Sequence, residues 1–215
     1  AGGLAERVAV RGDGEIALAA AFGDGAGILV SAGTGSIAYA RTPDGKQHRA
    51  GGYGWQLGDD GGGYWLGRRA LAAAARAQDG LEESSTLLER LLVALSLDSF
   101  DDLIRWTATA TPAQVAALAP HVLNAAAEGE AVARRAVEDA AVELARLIGA
   151  LLRHFPEGHP VAVATAGGLL RAGSPLLAAL RTRPAADLRQ AHFTDAPVDP
   201  PRGALHLAMH LLRQP

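Results

Sequence analysis

Two hydroxyl side chains set among glycines are the first residues whose types suggest chemistry. Residues 31–40 read SAGTGSIAYA, with Gly33 and Thr34 before Gly35 and Ser36 after it. Successive backbone N–H groups in a glycine turn form an anion-binding concavity, and neighbouring hydroxyls add donors. The run from Gly33 to Ala38 also fits the dinucleotide fingerprint G-x-G-x-x-A. That fingerprint needs a helix directly after the glycines, because the pyrophosphate rests on the helix N-terminus. Here Ile37, Ala38, Tyr39 and Ala40 follow, which favour a strand, and the turn signal Thr42-Pro-Asp-Gly45 comes at once. The glycines are therefore expected in a strand–turn–strand hairpin, and phosphate is the ligand that such a turn suits.

Other residues compete for roles. GGYGWQLGDDGGGYWLG at 51–67 is a second glycine-dense stretch, and Gly167-Gly168 ends the apolar run from Pro160 to Thr165. Asp13 precedes an alanine-rich segment, where it reads as a helix cap as readily as a base. Asp59 and Asp60 suit the cap of a helix starting near Gly61, with Tyr64 and Trp65 packing on that helix. His206 and His210 stand at i, i+4, a spacing that suits a metal. No third ligand is near them in sequence, and Leu205, Leu207 and Leu211 surround them. They are read as ordinary histidines, and no metal site is expected.

The elements that must position these residues follow from local signals. Residues 5–13 are expected as a strand ending at Asp13, 15–22 as a short helix, and 27–32 as a buried strand. Residues 37–41 and 46–50 form two strands around the 42–45 turn. About a hundred mainly helical residues come after the glycine-dense loop. Thr111-Pro-Ala-Gln114 has the Thr cap, first-turn Pro and third-position Gln of a helix start. Val137, Ala141, Leu144, Ile148 and Leu151 give residues 130–153 one buried stripe. A strand at 160–165, a helix from Ser174-Pro175, a short strand at 190–193 and a last helix from about Arg202 close the chain.

Composition sets the outer limits. The chain has 215 residues, 49% hydrophobic, with a formal net charge of −3 and no cysteine. Mixed charges leave no footprint for nucleic acid or an anionic membrane surface. The lack of cysteine excludes disulfides, thiolate zinc and cysteine-bound iron–sulfur clusters. No apolar run approaches the ~20 residues of a membrane span, and no signal peptide is visible, so a cytoplasmic location is expected.

Taken in order, GTGS, GGYGWQLGDDGGGYWLG and ATAGGL at 164–169 resemble the BadF/BadG/BcrA/BcrD-type ATPase family, nearest its N-acetylglucosamine and glucosamine kinases. The resemblance implies an α/β, ribonuclease H-like fold of the sugar kinase/actin/Hsp70 superfamily, a C-terminal lobe with a mixed sheet and a large helical insertion. It implies ATP-dependent phosphorylation of an amino sugar at its 6-hydroxyl, with Mg²⁺. Gly33, Thr34, Gly35 and Ser36 match the loop that faces the β- and γ-phosphates. Gly167 and Gly168 match the adenosine motif, and Arg171 falls near the nucleotide-contacting position after it. Gly52, Tyr53, Gly54 and Asp59 match the sugar loop, where Trp55 adds a second flat apolar face. Asp13 matches the aspartate that takes the proton from the sugar hydroxyl; Gly12 stands where many relatives have Asn. A homodimer is compatible with the family.

One departure is large. The family's first phosphate loop, of Asp-Gly-Gly type, has no counterpart here. Residues 1–25 are thus expected to be the tail of an N-terminal lobe, and 26–215 a C-terminal lobe inactive by itself. Within the same family, activator ATPases of 2-hydroxyacyl-CoA dehydratases need cluster-binding cysteines, which this sequence lacks. A related repressor needs a helix-turn-helix and a basic face, and neither is visible. A non-catalytic sugar or nucleotide sensor stays open as the alternative.

Overall fold

The computed structural model describes residues 8–81, 85–183 and 188–213. Its centre is a five-stranded mixed sheet in the order β3-β2-β1-β4-β5. The strands are β1 (Gly27–Ala32), β2 (Ser36–Arg41), β3 (Gln47–Gly51), β4 (Val161–Ala166) and β5 (Ala191–Phe193). β2 runs antiparallel to both β1 and β3, with Ala32 opposite Ser36 and Ile37 opposite Gly51. β4 lies parallel to β1, and β5 parallel to β4. The turn between β2 and β3 forms as its residues dictate: Gly45 holds φ +82° and donates to the Thr42 carbonyl.

β1 is buried on both faces, so it reads as a continuous apolar run. Successive side chains point to opposite faces. Ile28, Val30 and Ala32 enter the large helical core, while Leu29 meets Leu18 and Ala164 in a smaller cluster on the other side. The large core is built by α2 (Gly63–Gln78), α3 (Leu87–Leu95), α6 (Ala119–Ala127), α7 (Ala131–Leu152) and α8 (Pro175–Arg181), with Trp106 of α4 (Phe100–Thr107) packed on it and α5 (Pro112–Ala116) packed on α2. α7 crosses β1, β2 and β3 with its predicted stripe inward; Val137, Ala141, Leu144, Ile148 and Leu151 are all buried. On the small-cluster side α1 (Asp13–Phe22) packs against the last helix, α9 (Pro200–Arg213). Gly203 makes that contact close: a Cβ there would stand 2.1 Å from the Ile16 carbonyl oxygen. Among the described residues no helix is long and apolar enough to cross a membrane.

The helix-start signals hold. Thr111 and Gln114 form a reciprocal capping box, and the Ser174 hydroxyl accepts from the Leu176 amide. The strand expected at 5–13 does not form. Residues 5–7 lie outside the described residues, and 8–12 have no regular structure. Val8 and Val10 are exposed, and no described strand lies beside them to share backbone hydrogen bonds. Asp13 therefore begins a helix instead of ending a strand.

Leu144 ties the core to the glycine-dense loop, since its Cγ lies 3.0 Å from where a Cβ on Gly61 would be. Leu144→Ala is expected to cost about 2–5 kcal/mol by the cavity it leaves. Urea unfolding checks this; an unchanged midpoint would show that the loop collapses into the space.

Candidate functional site

The three glycine stretches meet at the carboxyl ends of parallel β1 and β4, the edge at which open α/β sheets bind ligands. β1 ends at Ala32 and β2 starts at Ser36, so Gly33, Thr34 and Gly35 form the turn between antiparallel strands, as the sequence predicts. Gly33 N–H donates to the Gly35 carbonyl at 2.9 Å. The Gly33 and Thr34 carbonyls accept from Gly63 N–H at 2.8 Å and Tyr64 N–H at 2.9 Å, the first two residues of α2. The amides of Thr34 and Gly35 are left without a hydrogen-bond partner among the described residues. With Thr34 exposed at the tip, those two amides and its hydroxyl are the donors available to an anion.

Asp59 lies directly against this turn. A Cβ on Gly35 would stand 2.2 Å from Asp59 Oδ2, so only glycine lets the carboxylate sit there. Asp59 itself holds φ +61°, a left-handed conformation rare outside glycine, though Asp tolerates it. Its Oδ1 accepts from the Gly54 amide at 3.3 Å, which ties Gly52-Tyr53-Gly54 to the same point. Tyr53 is exposed, with the Arg49 guanidinium 4.8 Å from its ring centre.

Ser36 is placed differently from Thr34. It is buried, and its hydroxyl donates to the Asp60 carbonyl at 2.6 Å. Its proton is used to tie the hairpin to the 51–62 loop. The capping roles expected of Asp59 and Asp60 are not realised. Gly62 is the N-cap of α2, and no side chain accepts there. The amides that a cap would satisfy are taken by the turn carbonyls.

Gly167 closes the other side. It holds φ +88°, and a Cβ there would stand 2.2 Å from the Ala32 carbonyl oxygen. Beyond it a cleft of about 490 Å³ is lined by Gly167, Arg171, Leu177, Arg181, Asp195 and Pro197. Gly168 begins a short 3₁₀ turn, and exposed Arg171 follows it.

Asp13 stands apart from this group. It is exposed at the first position of α1, whose N-cap is Gly12, so it is not the cap. Gly14 packs on the Tyr39 ring. Tyr39 is three residues along β2 from Ser36, roughly 10 Å from the turn.

Sequence reasoning missed two arrangements that join distant segments. An apolar groove of about 470 Å³ runs between α2 and α4–α5, lined by Trp55, Tyr64, Arg68, Phe100, Ile104 and Val115. Tyr64 is thus a groove wall, 5.1 Å from the Trp55 ring, instead of helix packing. Trp65 does pack on the core as expected. The second is a third partner for the histidine pair: Asp24 meets both His206 and His210, 182 and 186 residues away. The i, i+4 spacing was the only local signal for it.

A family model for the BadF/BadG/BcrA/BcrD ATPase family matches residues 4–208. The chain is 35% identical over 171 residues to the N-acetylmuramic acid/N-acetylglucosamine kinase of Clostridium acetobutylicum, covering 78% of this chain and 56% of that protein. It is 30% identical over 191 residues to the N-acetyl-D-glucosamine kinase of Dictyostelium discoideum, covering 86% and 59%. A crystal structure of a candidate N-acetylglucosamine kinase from Chromobacterium violaceum superposes with a TM-score of 0.73 at 35% identity, covering 91% and 64%. A ROK family glucokinase from Streptomyces griseus, solved with glucose and AMPPNP, has a TM-score of 0.53 at 20% identity, a likeness of fold alone. The α/β fold with its mixed sheet is that of these sugar kinases. The chain spans less than two thirds of the length of the two curated relatives.

Gly167→Ala puts a methyl against the Ala32 carbonyl and keeps a left-handed backbone. It is expected to cost about 1–3 kcal/mol and to shift the backbone amide signals of Gly33–Gly35. Guanidinium unfolding and amide spectra check both; unchanged amide signals would separate the two strand ends.

Proposed function

The chain belongs to the BadF/BadG/BcrA/BcrD ATPase family, and from that premise we propose that it supplies the phosphate- and sugar-facing lobe of an ATP-dependent kinase. The acceptor is an amino sugar, N-acetylglucosamine or glucosamine, phosphorylated at its 6-hydroxyl. The observation that carries this reading is the position of Asp59: its carboxylate touches the anion-binding turn on one side and the sugar-loop amide of Gly54 on the other. A hydroxyl held by Asp59 therefore lies beside a phosphate held by Thr34.

Phosphoryl transfer asks the protein mainly to position groups and neutralise charge. The Thr34 hydroxyl and the Thr34 and Gly35 amides bind the transferring phosphate without rearrangement, because α2 already fixes the turn. The cleft past Gly167 suits the nucleoside, with Arg171 and Arg181 on its wall. Gly167 lets the end of β4 lie against Ala32, and Gly168, beside which nothing stands within 4 Å, leaves the strand end open to the nucleotide. Mg²⁺ arrives with the nucleotide as part of the substrate. Tyr53 and Trp55, both exposed, offer flat faces to a pyranose ring. Ser36 acts as a positioning residue that locks hairpin to sugar loop. Asp13 is the proposed base; it lies at the start of α1, up the hairpin from the turn.

The groove behind Trp55 favours the N-acetyl sugar. Its walls are apolar and aromatic, which suits a methyl, and Arg68 on its rim repels an ammonium. An acidic ether of the kind carried by N-acetylmuramic acid is also compatible with Arg68.

A coupled assay of the whole protein over hexoses and amino sugars tests the proposal. N-acetylglucosamine is expected to give the highest kcat/KM. Asp59→Ala should raise the sugar KM and leave ADP affinity, read by calorimetry, nearly unchanged. Loss of ADP binding with sugar binding retained would mean that the two loops have each other's roles.

Asp13→Asn keeps shape and most hydrogen bonding but accepts no proton. It is expected to lower kcat by about 10²–10⁴-fold with ADP affinity and thermal midpoint unchanged. Near-normal turnover would remove Asp13 as the base. Binding of ADP and sugar with no turnover in the native protein would favour the sensor reading.

A further inference from the structure

We propose that Asp24, His206 and His210 form a binding site for a divalent transition metal, zinc above all, that clasps α9 to the turn between α1 and β1. The three residues present one ligand atom each, all within 4.8 Å of one another. His206 Nε2 lies 3.0 Å from Asp24 Oδ1, and His210 Nε2 lies 2.8 Å from Asp24 Oδ2. Zinc bonds of ~2.0–2.2 Å in a tetrahedron put neighbouring ligand atoms roughly 3.3 Å apart. A small rotation of each imidazole thus opens the present arrangement to an ion.

The two segments that carry the ligands are fixed independently of those contacts. The Arg41 guanidinium, itself buried, donates to the Gly23 carbonyl at 2.5 Å and to the Gly25 carbonyl at 3.4 Å. It clamps the turn on both sides of Asp24. On α9, Gly203, His206 and His210 stand at i, i+3 and i+7, one stripe of the helix. Gly203 anchors that stripe against α1. The His206 ring also rests over Gly23, whose φ of +58° favours glycine. The histidines are therefore aimed at Asp24 by the packing of α1 on α9.

The donor set selects the ion class. Two imidazoles and a carboxylate suit zinc, nickel, cobalt or copper, whereas magnesium and calcium prefer oxygen donors alone. Each histidine binds as the neutral ring with its proton on Nδ1 and its Nε2 lone pair on the metal. Asp24 is exposed, and an exposed carboxylate is ionised at neutral pH, so it is ready to coordinate once each ring carries its proton on Nδ1. All three residues are at least a third exposed, so an ion reaches them directly and keeps an open position for water. This site uses none of the residues assigned to phosphate or sugar, and it stands or falls separately from the kinase reading.

The test is zinc titration of the untagged protein, stripped with a chelator, followed by calorimetry and thermal unfolding. One equivalent is expected to bind and to raise the melting temperature. His206→Gln and His210→Gln should each weaken binding by at least about 100-fold, beyond what loss of an outer partner costs. Their circular dichroism should match the native protein, because both positions are partly exposed. No saturable binding up to ~1 mM zinc, or undiminished one-equivalent binding in the double His206→Gln/His210→Gln variant, would overturn the proposal.

Discussion

Two backbone hydrogen bonds govern the site: those from the Gly63 and Tyr64 amides to the carbonyls of Gly33 and Thr34. The first amides of a helix have no partner within it. Here they are satisfied by the hairpin turn instead of a side chain, so the turn must point its carbonyls at α2. The remaining amides of the turn then face away from the helix. The demand propagates through the loop before α2. A Cβ on Gly62 would stand 2.6 Å from the Gly35 carbonyl carbon, and one on Gly63 would stand 2.9 Å from the Gly33 oxygen. The glycine run at 61–63 is therefore a packing requirement, and Asp59 reaches Gly35 only because that run lets the loop lie flat on the turn.

The sheet places this arrangement between two unequal layers. On one face α7 and its neighbours form a deep core that reaches the loop through Leu144 and Gly61. On the other face the cluster of Leu18, Leu29 and Ala164 is small. The proposed phosphate and sugar determinants belong to the deep side, through α2 and the 51–62 loop. Asp13 belongs to the shallow side, through α1. The transfer proposed above would join groups held by different layers of the same sheet.

What the sequence disclosed was local. The hairpin, the 42–45 turn, the Thr111 box and the α7 stripe each depend on residues within a few positions of one another, and each formed with ends within two or three residues of expectation. The glycine motifs were legible as types, but their meeting at Ala32, Gly35 and Gly167 depends on strand order. Val8-Ala-Val10 has strand-like composition and still forms none, because a strand needs a neighbour and composition does not supply one. Asp59 and Asp60 had the right spacing for caps, yet backbone carbonyls from another segment took the amides. Asp24 carried no signal at all, since its partners lie at the far end of the chain.

The close crossing of α1 and α9 at Gly203 has a kinetic consequence. Its two halves are separated by nearly the whole sequence, so forming it closes a very long loop. Contacts of such separation bear their entropic cost before any reward and tend to form late in folding. The deep helical layer is made largely of neighbours in sequence and can assemble without them. Local opening draws on regions with few buried apolar contacts. Amide hydrogens of α1 are thus the ones expected to exchange with solvent sooner than those of α7, so that the helix beginning with Asp13 opens while the Gly33–Gly35 turn stays closed.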